Sequence, residues 1–262
     1  MILTPKKAAV SSRTVASVLV ITATIALLAR SEARADLTPV LKAIDIQGDC
    51  RGGVPELRGG TRQTDNTIEI TAYGTEFGHH CGQDQGHFAY VPIEGDFDVS
   101  VQIAELTNHG ATRPKGQPTP AKGGLMVRDG NDPAARYVAI WAVSNDDPAH
   151  YPDAYHFDAR LDPAAWLGSK PEGRFLYGYI NAKKHADLFV RNYPNVWVRL
   201  KREGTTFSSF ISRDGKTWSP TSTPGFSLTL PHVLHVGLAL SSSPEGKPNA
   251  RSTAIFKNLQ GL

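Results

Sequence analysis

The sequence carries none of the short motifs of nucleophilic, phosphoryl-transfer or dinucleotide chemistry. It has no Gly-x-Ser-x-Gly elbow, no Gly-x-x-x-x-Gly-Lys-Ser/Thr phosphate loop and no Gly-x-Gly-x-x-Gly fingerprint. It also lacks an internal repeat of short fixed period, which excludes propellers and solenoids. Cysteine is scarce, at two residues in 262. What is abundant is turn chemistry. Gly 24 and Pro 18 are too many for a helical bundle or a coiled coil, and they suit many short strands joined by tight turns. With 40% hydrophobic and 20% charged residues the chain is neither disordered nor fibrous.

The first 35 residues read as a secretory signal. Lys6, Lys7 and Arg13 form a basic leader, residues 14–29 are apolar, and Ala33-Arg34-Ala35 supplies the small residues of a cleavage site. An uncleaved anchor is the competing reading, but the apolar run is short for a bilayer span and contains several Ser and Thr. Cleavage removes five basic residues and one acidic one. Lys+Arg falls from 28 to 23 and Asp+Glu from 25 to 24, and the net charge changes from +3 to −1. The basicity therefore belongs to the export signal and gives no reason to expect nucleic acid or an acidic membrane as partner. The expected location is secreted or periplasmic, with no membrane insertion after cleavage. In such an oxidising compartment Cys50 and Cys81 are most simply one disulfide, worth on the order of 3 kcal/mol in the chain-entropy model.

Residues 36–262 are expected to form one all-β domain. In FDVSVQIAEL (97–106) Phe97, Val99, Val101 and Ile103 share one face, while Asp98, Ser100 and Gln102 share the other. Similar runs at 67–72, 88–91, 124–128, 137–143, 174–180, 197–201, 206–212, 233–240 and 252–258 predict about ten or more strands. Asp214-Gly215 between two apolar runs predicts a tight hairpin. One short helix is expected, with Asp162 as N-cap, Pro163 in its first turn and Gly168 as its stop. Residues 108–121 and 145–173 do not read as strands, and stretches of that length are usually binding loops or flexible excursions.

Four segments taken together resemble a known family. They are GHFAYVPIEGDFDVSVQI (86–103), KGGLMVRDGNDPAARYVAIWAV (122–143), WVRLKREGTTFSSFISRDGKTW (197–218) and HVGLALSSS (235–243). Their order resembles the "regulation of enolase protein" type of concanavalin A-like domain over about residues 44–260. The resemblance implies a two-sheet antiparallel jelly-roll sandwich, laminin-G-like in shape. Such sandwiches host lectins, glycosidases and adhesion modules, so the likeness identifies no chemistry. The stretch 146–173, with Tyr151, Tyr155, Phe157 and Trp166, is longer than the family pattern and is read as an insertion at about 145–173. The two cysteines lie outside the motif set.

Four groups of residues are candidates for chemistry. The laminarinase-type members of the superfamily use Glu-x-Asp-x-x-Glu; here Glu94-Gly95-Asp96-Phe97-Asp98 lacks the second Glu and suits a turn. His79, His80, Cys81, Asp84 and His87 are dense in metal-capable groups, but adjacent histidines on an extended chain point to opposite sides. Asp129, Asn131 and Asp132 offer hard oxygen ligands, and calcium is bound by some lectins and laminin-G modules of this architecture. The same run is also a routine turn, and no cofactor is required.

Aromatic residues remain, because sugar rings stack on them while nearby polar side chains bond the hydroxyls. Trp166, Tyr151, Tyr155 and Tyr177 with Asp153, Asp158 and Arg160 are the candidate ligand-binding set. Trp141, Trp197 and Trp218 lie on strand patterns and are expected to pack the core. The leading expectation is an exported non-catalytic module that recognises a carbohydrate or cell-surface glycan. The alternatives are a glycoside hydrolase or lyase on the same jelly roll, and a structural or adhesion module that binds a protein.

Overall fold

The computed structural model describes residues 39–50, 53–78, 81–109, 120–144, 155–166, 168, 173–179, 193–221, 225–242 and 248–262. Among these are fifteen strands and no helix. In chain order they are β1 Lys42–Gln47, β2 Gly60–Thr64, β3 Thr67–Tyr73, β4 Gln85–Glu94, β5 Phe97–His109, β6 Lys122–Arg128, β7 Tyr137–Val143 and β8 Tyr155–Arg160. They continue with β9 Phe175–Tyr179, β10 Val196–Glu203, β11 Thr206–Ser212, β12 Ser219–Pro220, β13 Phe226–Ser227, β14 Val233–Ser241 and β15 Arg251–Gln260. A seven-stranded sheet runs β1-β4-β14-β6-β7-β8-β9, and an eight-stranded one includes β12-β11-β10-β5-β15-β3-β2 with β13 beside β11. All pairings are antiparallel. The residues from 36 onward form one compact unit. No described helix is long and apolar enough to cross a membrane.

Alternation explains the interior. On β5 the alternating side chains Phe97, Val99, Val101 and Ile103 are buried, and they meet Leu125 and Val127 of β6 and Val138 and Ile140 of β7 in the core. The two sheets are also joined by polar contacts at the edge formed by β1 and β2. His87 Nδ1 lies 2.8 Å from Asp45 Oδ1 and its Nε2 lies 2.8 Å from Thr61 Oγ1 of the other sheet. Burial pushes the Asp45 carboxyl up, but hydrogen bonds from His87 and the Gly59 N–H outweigh it and hold the group below its ordinary value.

Three local expectations need correction. Residues 155–160 fall within the supposed strandless insertion yet form β8, a fully buried strand between β7 and β9. Its YHFDAR sequence looks half-polar because its polar face is itself covered. The predicted helix after Asp162 is a single turn, closed by Ala165 N–H on the Asp162 carbonyl and broken at Ala164, whose φ is +59°. Asp214-Gly215 does sit between two paired strands, but in a six-residue connection from β11 to β12 rather than a two-residue turn. There the Asp214 carboxylate accepts the Lys216 and Thr217 N–H groups. These bonds stabilise its charged form and lower its pKa.

Candidate functional site

A strand buried on both faces needs a second covering layer, and here that layer is on the outer face of the seven-stranded sheet. Strand alternation puts Tyr137 and Trp141 of β7, Lys122, Met126 and Arg128 of β6, and His156, Asp158 and Arg160 of β8 on this face. On the other side of the sheet the same strands feed the sandwich core. Lys122, Arg128, Tyr137, Trp141, His156, Asp158 and Arg160 are all buried. Part of the cover is the connection from β3 to β4. Its Phe77 stacks on Trp141 with ring centroids 5.4 Å apart, over the space that Gly86 leaves by having no side chain. The connection is anchored by the Cys50–Cys81 disulfide and by Gln85, whose amide donates to the carbonyls of Gly48, Cys50 and Gly53.

Asp84, from the end of that connection, pairs with two buried arginines. Its carboxylate pairs with the Arg128 guanidinium and accepts from Arg160 at 2.7 and 3.0 Å. Arg160 also donates to the carbonyls of Pro133, Ala135 and Ala165, so each of its guanidinium nitrogens has an acceptor. Between the two guanidiniums lies the Tyr137 ring, 5.1 Å from Arg160 and 5.8 Å from Arg128. Burial pushes the Tyr137 hydroxyl well above its usual pKa, and the carboxylates of Asp158 and Asp84 add to the shift.

Asp158 accepts the Trp141 indole N–H at 2.9 Å and lies 4.0 Å from the Lys122 ammonium. Its other oxygen, Oδ1, is buried without a hydrogen-bond partner among the described residues. Burial pushes its carboxyl up to about 6 against the lowering pull of Lys122 and Trp141. The folded state therefore holds a proton here that the unfolded chain has already released. Stability contributed by the protonated form is present below the unfolded value of about 3.8 to 4 and is lost as pH rises to about 6. An Asp158→Asn variant is expected to flatten this fall between pH 4 and 6 in urea titrations, and an unchanged slope would disprove the assignment.

The sequence-predicted ligand residues separate in the structure. Asp158, Arg160 and Tyr177 lie on the outer face, with Asp158 opposite Tyr177 and Arg160 opposite Phe175. Tyr177 is half-buried, and its hydroxyl lies 3.2 Å from His156 Nδ1. Tyr155 points the other way and is buried in the sandwich core, which removes it from any surface platform. Trp166 is half-buried beside Gly168, where a Cβ would fall 2.3 Å from its ring. Tyr151 and Asp153 lie outside the described residues.

Other candidates have found protein partners. Asp129 accepts from Arg136 at 2.6 Å, Asn131 bonds Tyr90 and His235, and Asp132 caps the Ala134 N–H. Among the described residues no three His, Cys, Asp or Glu side chains gather as a cation would require. Cys81, Asp84 and His87 are spent on the disulfide, the arginines and Asp45; His79 and His80 lie outside the described residues. Glu94 to Asp98 is the turn between β4 and β5. Asp96 there caps the Gly204 N–H, and Asp98 pairs with Arg199 at 2.5 and 2.6 Å.

Of the three tryptophans expected to pack the core, Trp141 does so and the other two do not. Trp141 is fully buried, but on the outer face rather than between the sheets. Trp197 and Trp218 are only half-buried. The first packs against Gly215, and the second lies under the Arg199 guanidinium at 5.6 Å.

Sequence reasoning missed the pairing of Asp84 with Arg128 and Arg160, and that of Lys122 with Asp158. The only local signal was that charged residues alternate with apolar ones on strands whose neighbours are strongly apolar. It also missed a cleft of about 550 Å³ where the ends of β6, β7, β8 and β9 meet the segment 227–229.

The sequence matches no protein-family model and no curated protein. Solved structures do align with it. A functionally unknown protein from Saccharomyces cerevisiae is 13% identical with a TM-score of 0.52, covering 85% of this chain and 96% of that one. A legume lectin-like domain from Entamoeba histolytica is 12% identical, with a TM-score of 0.44 and coverage of 78% and 87%. The metal-free form of lectin I-B4 from Griffonia simplicifolia is 10% identical, with a TM-score of 0.42 and coverage of 89% and 96%. The fold is an all-β, two-sheet antiparallel jelly-roll sandwich.

Proposed function

We propose that this chain is an exported, non-catalytic module that recognises a carbohydrate at the β8–β9 margin of its seven-stranded sheet. One observation carries the reading. The half-buried rings of Phe175 and Tyr177 stand on the outer face of β9 against Arg160 and Asp158, which are fully buried and hold that part of the sheet rigid. Partly exposed aromatic faces on a rigid support are what a sugar stacks its C–H side on. The leader sequence and the disulfide support export. The four motif segments support membership of the "regulation of enolase protein" type of domain.

The test is binding of residues 36–262 to a broad glycan panel, with calcium and with chelator. Selective binding, weakened about tenfold in a Trp166→Ala, Tyr177→Ala variant, is the expected result. A negative panel would point instead to a protein partner. Loss of binding under chelator would bring in calcium at Asp129, Asn131 and Asp132.

A further inference from the structure

The cleft lies where the ends of β6 to β9 meet the segment 227–229. Two ion pairs face it. Arg136 Nε holds Asp129 Oδ2 at 2.6 Å while its Nη1 donates to the Thr229 carbonyl at 3.1 Å. Arg174 grips Asp162 with Nε at 3.0 Å and Nη2 at 2.9 Å, and its backbone N–H donates to the same carboxylate. Leu161 and Leu228 supply apolar lining.

Three consequences follow from these bonds. The charges cancel, so neither an anion nor a cation gains from entering; each would have to compete with a counter-charge already in contact. Each guanidinium is already paired with a carboxylate, and that of Arg136, the less exposed of the two, costs less to order for binding. Hydrogen-bonding capacity is left over, since Arg136 Nη2, Arg174 Nη1 and Asp129 Oδ1 have no partner among the described residues. A hydroxyl both donates and accepts, so adjacent ring hydroxyls match a guanidinium edge beside a carboxylate oxygen. The apolar lining suits the C–H face of the same ring, and about 550 Å³ lies within the range of small-molecule pockets.

We propose that this cleft is a pocket for one neutral sugar ring, gripped through its hydroxyls by Arg136, Arg174 and Asp129. The proposal rests on the carbohydrate reading above and places a ring at a site distinct from the Phe175 and Tyr177 margin. No step of chemistry is required of it.

The experiment is an amide-resolved NMR titration of residues 36–262 with the methyl glycosides of glucose, galactose, mannose and N-acetylglucosamine, and with glucuronate. At least one neutral glycoside is expected to shift the amides of Arg136, Asp162 and Arg174, and glucuronate is expected to be weaker. Arg174→Ala alters a largely exposed side chain, and Asp129→Asn keeps the shape of its site. Each variant is expected to weaken that binding about tenfold, as befits hydrogen bonds to charged groups. Shifts confined to Phe175 and Tyr177 that survive Arg174→Ala would overturn the pocket and leave the carbohydrate reading standing. Preference for glucuronate, or shifts at the cleft unchanged in both variants, would overturn the pocket as drawn. A chain that binds none of these sugars and nothing in the glycan panel would bring down both.

Discussion

An Asp84→Asn variant is expected to lose about 3–5 kcal/mol of unfolding free energy, with a melting temperature lower by roughly 10 °C. The carboxylate is completely buried and serves two completely buried guanidiniums. Asparagine keeps the volume and some of the hydrogen bonds but removes the charge, leaving Arg128 and Arg160 as neighbouring cations with Tyr137 between them. Such a pair is weak evidence for stability while it is intact, because desolvation offsets most of the attraction. Breaking it costs far more, because the surviving charge keeps the desolvation penalty without its compensation. Urea unfolding with an unchanged m-value measures the loss. A loss below about 1 kcal/mol would mean that water reaches the arginines. Adding Arg160→Met to Asp84→Asn is expected to recover part of the loss, and the double-mutant cycle isolates the coupling.

Removing the disulfide, as Cys50→Ser with Cys81→Ser, is the second large effect, expected to cost on the order of 3 kcal/mol for a loop of 31 residues. Its consequence is also local. Cys81 lies in the connection that brings Phe77 onto Trp141 and Asp84 onto the arginines. The variant is therefore expected to expose Trp141 before the sandwich unfolds. That would appear as a red-shifted tryptophan emission and faster quenching by acrylamide at urea concentrations where far-ultraviolet dichroism is still native. Coincident transitions by both probes would show that the bridge stabilises the whole unit and has no separate hold on the cover.

Both effects depend on contacts between distant parts of the chain, and this marks the boundary of what the sequence by itself determined. Period-two alternation is written in consecutive residues, so Phe97 to Ile103 announced a strand and its inward face without reference to any other segment. Tyr137–Val143 and Thr206–Ser212 have the bounds that their sequences suggested. The all-β class followed from the same signal, and the pairing of Cys50 with Cys81 followed from there being only two thiols.

Tertiary structure alone decided which polar residues were surface and which were core. Tyr155 and Asp158 are three residues apart on one strand, so they point to opposite faces; the choice of face depends on how β8 sits between β7 and β9. Asp84 meets Arg128 across 44 residues and Arg160 across 76. A buried charge is tolerable only beside its partner, and nothing local in YHFDAR or in the run before Gln85 names that partner. The cleft residues Arg136 and Arg174 likewise become neighbours because β7 and β9 flank β8. Local periodicity specifies which way a side chain points relative to the next one. The free energy that selects its partner comes from desolvating both at once, and that depends on the whole packed sheet.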